Sequence, residues 1–79
     1  MADRVMGAAL AVSMKNRIKL LRVERDLSQA QLADQLGIAR QTVIALETGK
    51  YAPSLPLAFK ISKLFVRPVE DIFDPDSMD

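Results

Sequence analysis

Seventy-nine residues set the size of one small domain, near the length at which a single hydrophobic core barely suffices. At 49% hydrophobic and 27% charged the chain is expected to fold. It has no cysteine and no histidine, which excludes disulfides, thiolate metal sites and the commonest general base, and no stretch approaches the ~18 apolar residues of a membrane span. The net charge of +1 conceals a segregation. Between Lys15 and Lys63 lie nine cations and four anions, whereas from Leu64 to Asp79 Arg67 stands alone against five anions. A basic body with an acidic tail suits a protein that presents one face to polyanion and turns the other away.

Residues 1–13, MADRVMGAALAVS, read as an extension outside the fold, frayed or continuing a helix. A signal peptide is the alternative, since Val5–Val12 is apolar and Ala11-Val12-Ser13 resembles a cleavage site, but the segment is short and its start barely cationic. Met14 is itself a candidate start. The domain is then expected over 14–74, with 75–79 as a short acidic tail.

A first helix is expected from Asn16 to about Asp26, with Ile18 and Leu21 facing the core. Leu20 and Val23 are surplus to that stripe. Scattered apolar residues on a surface are normal; the alternative is a second small patch covered by Val5, Met6, Leu10 or Val12, from the same chain or a partner, since contiguous apolar patches usually contact something. Ser28 opens a second helix as its N-cap. Gln31 completes a capping box, and Leu27 and Leu32 are placed as a hydrophobic staple. Gly37 ends it, where a positive φ is cheap only without a Cβ.

The third helix is expected over Arg40–Glu47, entered through Ala39, a poor N-cap that costs ~1 kcal/mol relative to Ser or Thr. Thr48-Gly49 stops it. Ser54 caps a fourth helix with Pro56 in its first turn, and Leu57, Ala58, Ile61, Leu64 and Phe65 form its stripe. Arg67-Pro68 breaks that helix, because the residue before proline avoids the α region. A fifth, short helix follows, with Glu70 and Asp71 in its first turn and Val69, Ile72 and Phe73 on its apolar face. No strand pattern appears, so the expected class is all-α with five helices.

The stretch from Ser28 to Lys50 carries the functional reading. Counted from Gln29, apolar residues fall at positions 4 (Leu32), 8 (Leu36), 10 (Ile38), 15 (Val43) and 18 (Leu46). Leu32 and Leu36 lie one turn apart on one helix, Val43 and Leu46 likewise on the next, and Ile38 closes the wedge. Ala33 sits where the two backbones approach. This is the pattern a DNA-binding helix-turn-helix requires. LSQAQLADQLGIARQTVIALETGKYAPSL, followed by VEDIF, resembles the lambda repressor/Cro-like (XRE) family, in particular its short single-domain regulators.

The resemblance covers about residues 14–73. It implies a five-helix lambda-repressor-like domain that binds double-stranded operator DNA as a two-fold dimer, in the cytoplasm, to repress or activate a promoter. Three departures stand out. Ala39 replaces a frequent Ser or Thr, Val66-Arg67-Pro68 replaces a Gly-Val-Ser-like turn, and the N-terminal extension lies outside the pattern.

With the third helix in the major groove, Arg40 and Gln41 are the expected base readers, for guanine and adenine respectively. Ile44 and Ala45 face the groove without hydrogen-bonding groups, which leaves them thymine methyls. The resemblance implies that Gln29 touches phosphate and braces Gln41. Thr42, Lys50 and the Tyr51 hydroxyl are further phosphate partners. Glu47 is expected to pair within the protein, with Arg22 as the candidate, rather than meet DNA. Val69, Ile72 and Phe73, with the turn before them, are the expected dimer seam; Phe73 closing only the monomer core is the alternative. An antitoxin or accessory module that docks a protein partner is a second functional class. An enzyme is disfavoured by the absent His, Cys and glycine-rich phosphate loop, and no cofactor or metal is expected.

Overall fold

The computed structural model describes residues 14–75. Among these residues five helices follow in order: α1 Ile18–Glu24, α2 Gln29–Leu36, α3 Arg40–Glu47, α4 Leu55–Phe65 and α5 Val69–Ile72. The extension 1–13, including the candidate cover over Leu20 and Val23, and the end of the acidic tail lie outside the described residues. Leu20 and Val23 themselves are more than half exposed.

α1 begins two residues later than its apolar pattern suggests, because Asn16 has another task. Its Oδ1 accepts from the Ile18 amide at 3.1 Å, closing the helix start. Its Nδ2 donates to the Leu46 carbonyl at 2.7 Å and to the Met14 carbonyl at 3.1 Å. Asn16 also forms a single antiparallel bridge with Phe73, so one residue ties the chain's beginning to α3 and to its end. There is no β-strand among the described residues.

α2 starts where its cap chemistry dictates. The Ser28 hydroxyl accepts from the Gln31 amide at 3.0 Å, and the Gln31 side chain accepts from the Ser28 amide at 2.8 Å. Gly37 ends the helix at φ +70°, and Lys60 of α4 donates to the orphan Leu36 carbonyl at 2.9 Å. Arg25 serves α4 in the same way. Its guanidinium donates to the Leu64 and Phe65 carbonyls at 2.7 and 3.0 Å and lies 5.4 Å from the Phe65 ring centroid. A cation at a helix C-terminus meets both the unpaired carbonyls and the negative end of the dipole.

The core is one cluster drawn from all five helices. Ile18 and Leu21 come from α1, Leu32, Ala33 and Leu36 from α2, Val43 and Leu46 from α3, Ala58, Ile61 and Phe65 from α4, and Ile72 with Phe73 from the chain's end. Ile38 packs against it from the turn. Burying each large apolar side chain contributes on the order of 1.5–3 kcal/mol, so the stripes of α2 and α3 fix which faces of those helices meet. Among the described residues no helix is long and apolar enough to span a membrane.

Two backbone sites carry stability predictions. Ala39 has the extended geometry of an N-cap, φ −74° and ψ 149°, yet no side-chain bond closes α3. Ala39→Ser is expected to raise unfolding stability by about 1 kcal/mol, seen as a higher urea midpoint at unchanged m-value. Gly49 lies at φ +77°, and a Cβ there would meet the Met14 carbonyl oxygen at 3.0 Å. Gly49→Ala combines a left-handed penalty with a backbone clash. The same denaturation series should show a loss of about 1–2 kcal/mol or more.

Candidate nucleic-acid interface

α2 and α3 diverge from the turn at Gly37 and Ile38, and the N-terminal half of α3 stands on the surface. Its buried side is Val43 and Leu46. Arg40 and Gln41 are exposed, Ile44 is 37% exposed, and Thr42 and Ala45 are half-buried at the edges of the stripe. Tyr51 follows α3 and is 42% exposed rather than packed away, and Lys50 beside it is exposed. Gln41, Thr42, Ala45 and Tyr51 together line a shallow hollow of about 310 Å³. Five of the eight groups singled out for this face therefore come from two turns of α3.

The local electrostatics favour an anion. Neither α2 nor α3 carries an acid in its first turn. Neither helix therefore sets an acid of its own first turn against the positive end of its dipole. Arg40, a cation at the positive end of α3, opposes the dipole of its own helix.

Behind this face lies a chain of side-chain bonds. Arg22 of α1 donates to Glu47 through Nε at 2.5 Å and through an NH2 group at 3.3 Å, and to the Leu27 carbonyl at 2.8 Å. The expected Arg22–Glu47 pair is thus formed, with side chains 11% and 4% exposed. Gln29 Nε2 donates to Glu47 Oε1 at 3.1 Å, and Arg40 donates to Gln29 Oε1 at 3.4 Å. The brace expected between Gln29 and Gln41 therefore falls one residue earlier, on Arg40. Glu47 lies two turns after Arg40 along the same side of α3, so one amide from α2 reaches both. That spacing was available in the sequence, but the link from Gln29 to Glu47 needs the crossing angle of α2 and α3.

The expected seam at the chain's end changes as well. Ile72 is 1% exposed and Phe73 5%, so both belong to the monomer's core and offer no partner surface. Phe73 follows α5 in extended backbone, and its bridge to Asn16 turns it inward. Val69 is half-buried. The exposed apolar residue of this corner is Val66, 80% exposed in the turn before α5.

Comparison with known proteins fits this geometry. A helix-turn-helix family model (HTH_3) matches residues 18–72. An uncharacterised helix-turn-helix-type transcriptional regulator of Methanocaldococcus jannaschii is 57% identical over 60 residues, covering 76% of this chain and 91% of its own length. The transcriptional repressor RstR of the cryptic phage CTXphi in Vibrio cholerae is 35% identical over 57 residues, covering 72% of this chain and 51% of RstR. Among solved structures, a candidate DNA-binding protein from Bacteroides fragilis superposes with a TM-score of 0.68 at 28% identity, covering 77% of this chain and 98% of that one. The match spans all five helices and the exposed face of α3 at once: the chain belongs to the XRE-type helix-turn-helix family of DNA-binding transcriptional regulators.

Proposed function

We propose that this protein is a sequence-specific regulator that binds operator DNA as a two-fold dimer and represses transcription. The observation that carries the reading is the single face on which Arg40, Gln41, Thr42, Ala45 and Tyr51 stand exposed or half-exposed with no acid in the first turn of α2 or α3. α3 enters the major groove and α2 crosses the backbone above it. Arg40 addresses the O6 and N7 acceptors of a guanine, and Gln41 pairs with an adenine edge. Ile44 and Ala45 contact thymine methyls. The Gln29 backbone amide at the start of α2, with Thr42, Lys50 and the Tyr51 hydroxyl, holds phosphates and so fixes the register. Repression is favoured by the likeness to RstR, itself a transcriptional repressor.

One domain reads few bases, so two copies on half-sites about one helical turn apart supply the specificity. Val66 and Val69 form the seam between them. Val66 ends α4 at φ +56°, a left-handed conformation that costs a non-glycine residue on the order of 1–2 kcal/mol. A β-branched residue is doubly unsuited to it. Strain kept at an exposed position points to a contact outside the monomer.

The first test is selection from a random duplex library, followed by fluorescence anisotropy over a salt series. The selected duplex is expected to bind at least ~10³-fold tighter than a scrambled one, with Arg40→Ala and Gln41→Ala each losing most of that preference. Equal, weak binding of both duplexes with a steep salt dependence would remove the regulator reading and leave only electrostatic attraction. A protein partner for the domain would then be sought. The seam has its own signature. Val66→Gly should stabilise the monomer by about 1 kcal/mol, measured at dilution by urea unfolding. The same change should weaken self-association in sedimentation equilibrium. Unchanged association would rule Val66 out of the seam.

A further inference from the structure

Three helices meet at one carboxylate. Glu47 closes α3, its side chain 4% exposed, with Arg22 of α1 and Gln29 of α2 both donating to it. A carboxylate offers only acceptors. The Gln29 side chain, whose two ends could otherwise exchange, must turn its NH2 inward. Its carbonyl oxygen is thereby turned toward Arg40, whose guanidinium donates to it at 3.4 Å. Guanidinium is donor-only, so it satisfies that oxygen and keeps further N–H groups free for acceptors beyond. Guanine O6 and N7 are such acceptors.

We propose that Glu47 and Arg22, which pair with each other beneath the surface, are positioning residues for base reading: they fix the polarity of the Gln29 amide, which holds a donor side chain at position 40 toward guanine. The proposal rests on the DNA-binding reading above and adds the origin of its selectivity. The buried pair is the source of the order, because a charged group 4% exposed cannot lose its partners cheaply and its oxygens cannot reverse their role. Gln29 passes that constraint to the surface in one step.

Glu47→Gln inverts the chain without removing volume. Arg22 still requires an acceptor, so the new amide turns its oxygen to Arg22 and its NH2 to Gln29. Gln29 must then accept on its inner side and present NH2 to Arg40, donor facing donor. Arg40 is released from the oxygen that held it.

The test measures base preference rather than affinity. Duplexes carrying guanine or each other base at the position read by Arg40 are titrated with the wild type, Glu47→Gln, Gln29→Ala, Arg40→Ala and the double variant Glu47→Gln/Arg40→Ala. Glu47→Gln is expected to reduce the guanine preference about tenfold. Gln29→Ala, which leaves the buried pair intact, should do the same. On the Arg40→Ala background Glu47→Gln should alter no base preference. If Glu47→Gln weakens all duplexes equally, or acts identically with and without Arg40, its role is structural and the proposal falls. NMR of the free protein supplies the second readout. The Gln29 side-chain NH2 should exchange slowly in the wild type and rapidly in Glu47→Gln, with the Arg40 Nε–H becoming mobile alongside it. A wild type that prefers a duplex while Arg40 is already mobile overturns the relay alone. A protein with the relay intact that prefers no duplex overturns the regulator reading, and the base-reading role with it.

Discussion

The Glu47 carboxylate is the point to which the rest of the molecule is registered. Carrying a charge into a site 4% exposed costs several kcal/mol unless partners replace the lost water, and removing one partner of such a pair costs about 3–5 kcal/mol. Arg22 and Gln29 must therefore be present together, which places α1 and α2 against the C-terminal end of α3. Apolar packing alone fixes which faces meet, since Leu32, Leu36, Val43 and Leu46 would tolerate a small slide along the helix axes. Directional bonds to one carboxylate do not tolerate it. The hydrophobic wedge supplies stability, and the buried pair makes the geometry single-valued.

That division explains what the sequence discloses. Caps and stripes are local, so the boundaries of α2 and α3 follow from Ser28, Gln31, Gly37 and Gly49, and the core of the wedge follows from helical period. The exposed face of α3 follows by subtraction. What escaped was nonlocal. Asn16 continues an apparent helix on paper, but the Leu46 carbonyl thirty residues away claims its amide and delays the helix. Phe73 reads from the sequence as either dimer seam or monomer core, and only the extended backbone after Ile72, which turns the ring inward, decides for the core. Gln29 was assigned a neighbour one residue too late, because the choice between Arg40 and Gln41 depends on a crossing angle that spacing does not contain.

Val66 shows the same limit from the other side. Its departure from a glycine-like turn was visible in the sequence, and its consequence was not. Only the backbone reveals that the departure leaves a β-branched residue at φ +56° with most of its surface in solvent. Neighbouring bonds hold the turn in place. The Arg67 amide donates to the Ser62 carbonyl at 3.1 Å, and the Ser62 hydroxyl donates to the Arg67 carbonyl at 2.5 Å. Those bonds hold the chain in the left-handed position, and the strain falls on Val66.

The charge count takes on a different meaning once the cations are located. Nine lie between Lys15 and Lys63, but Arg22 is paired with Glu47, Arg25 closes the end of α4 and Lys60 closes the end of α2. Phosphate neutralisation requires a cation within roughly a Debye length of the backbone, about 8–10 Å in ordinary salt, and with its donors free to approach. Of these three only Arg22 has its charge cancelled, by Glu47, while Arg25 and Lys60 donate to neutral carbonyls and keep theirs. The salt-dependent attraction to DNA scales with the phosphates neutralised. On the proposed reading, occupancy at one site over many comes from the quality of the base contacts and from doubling them across a dimer. The proposed order imposed on Arg40 from the buried carboxylate acts on that selectivity and not on the salt-dependent attraction.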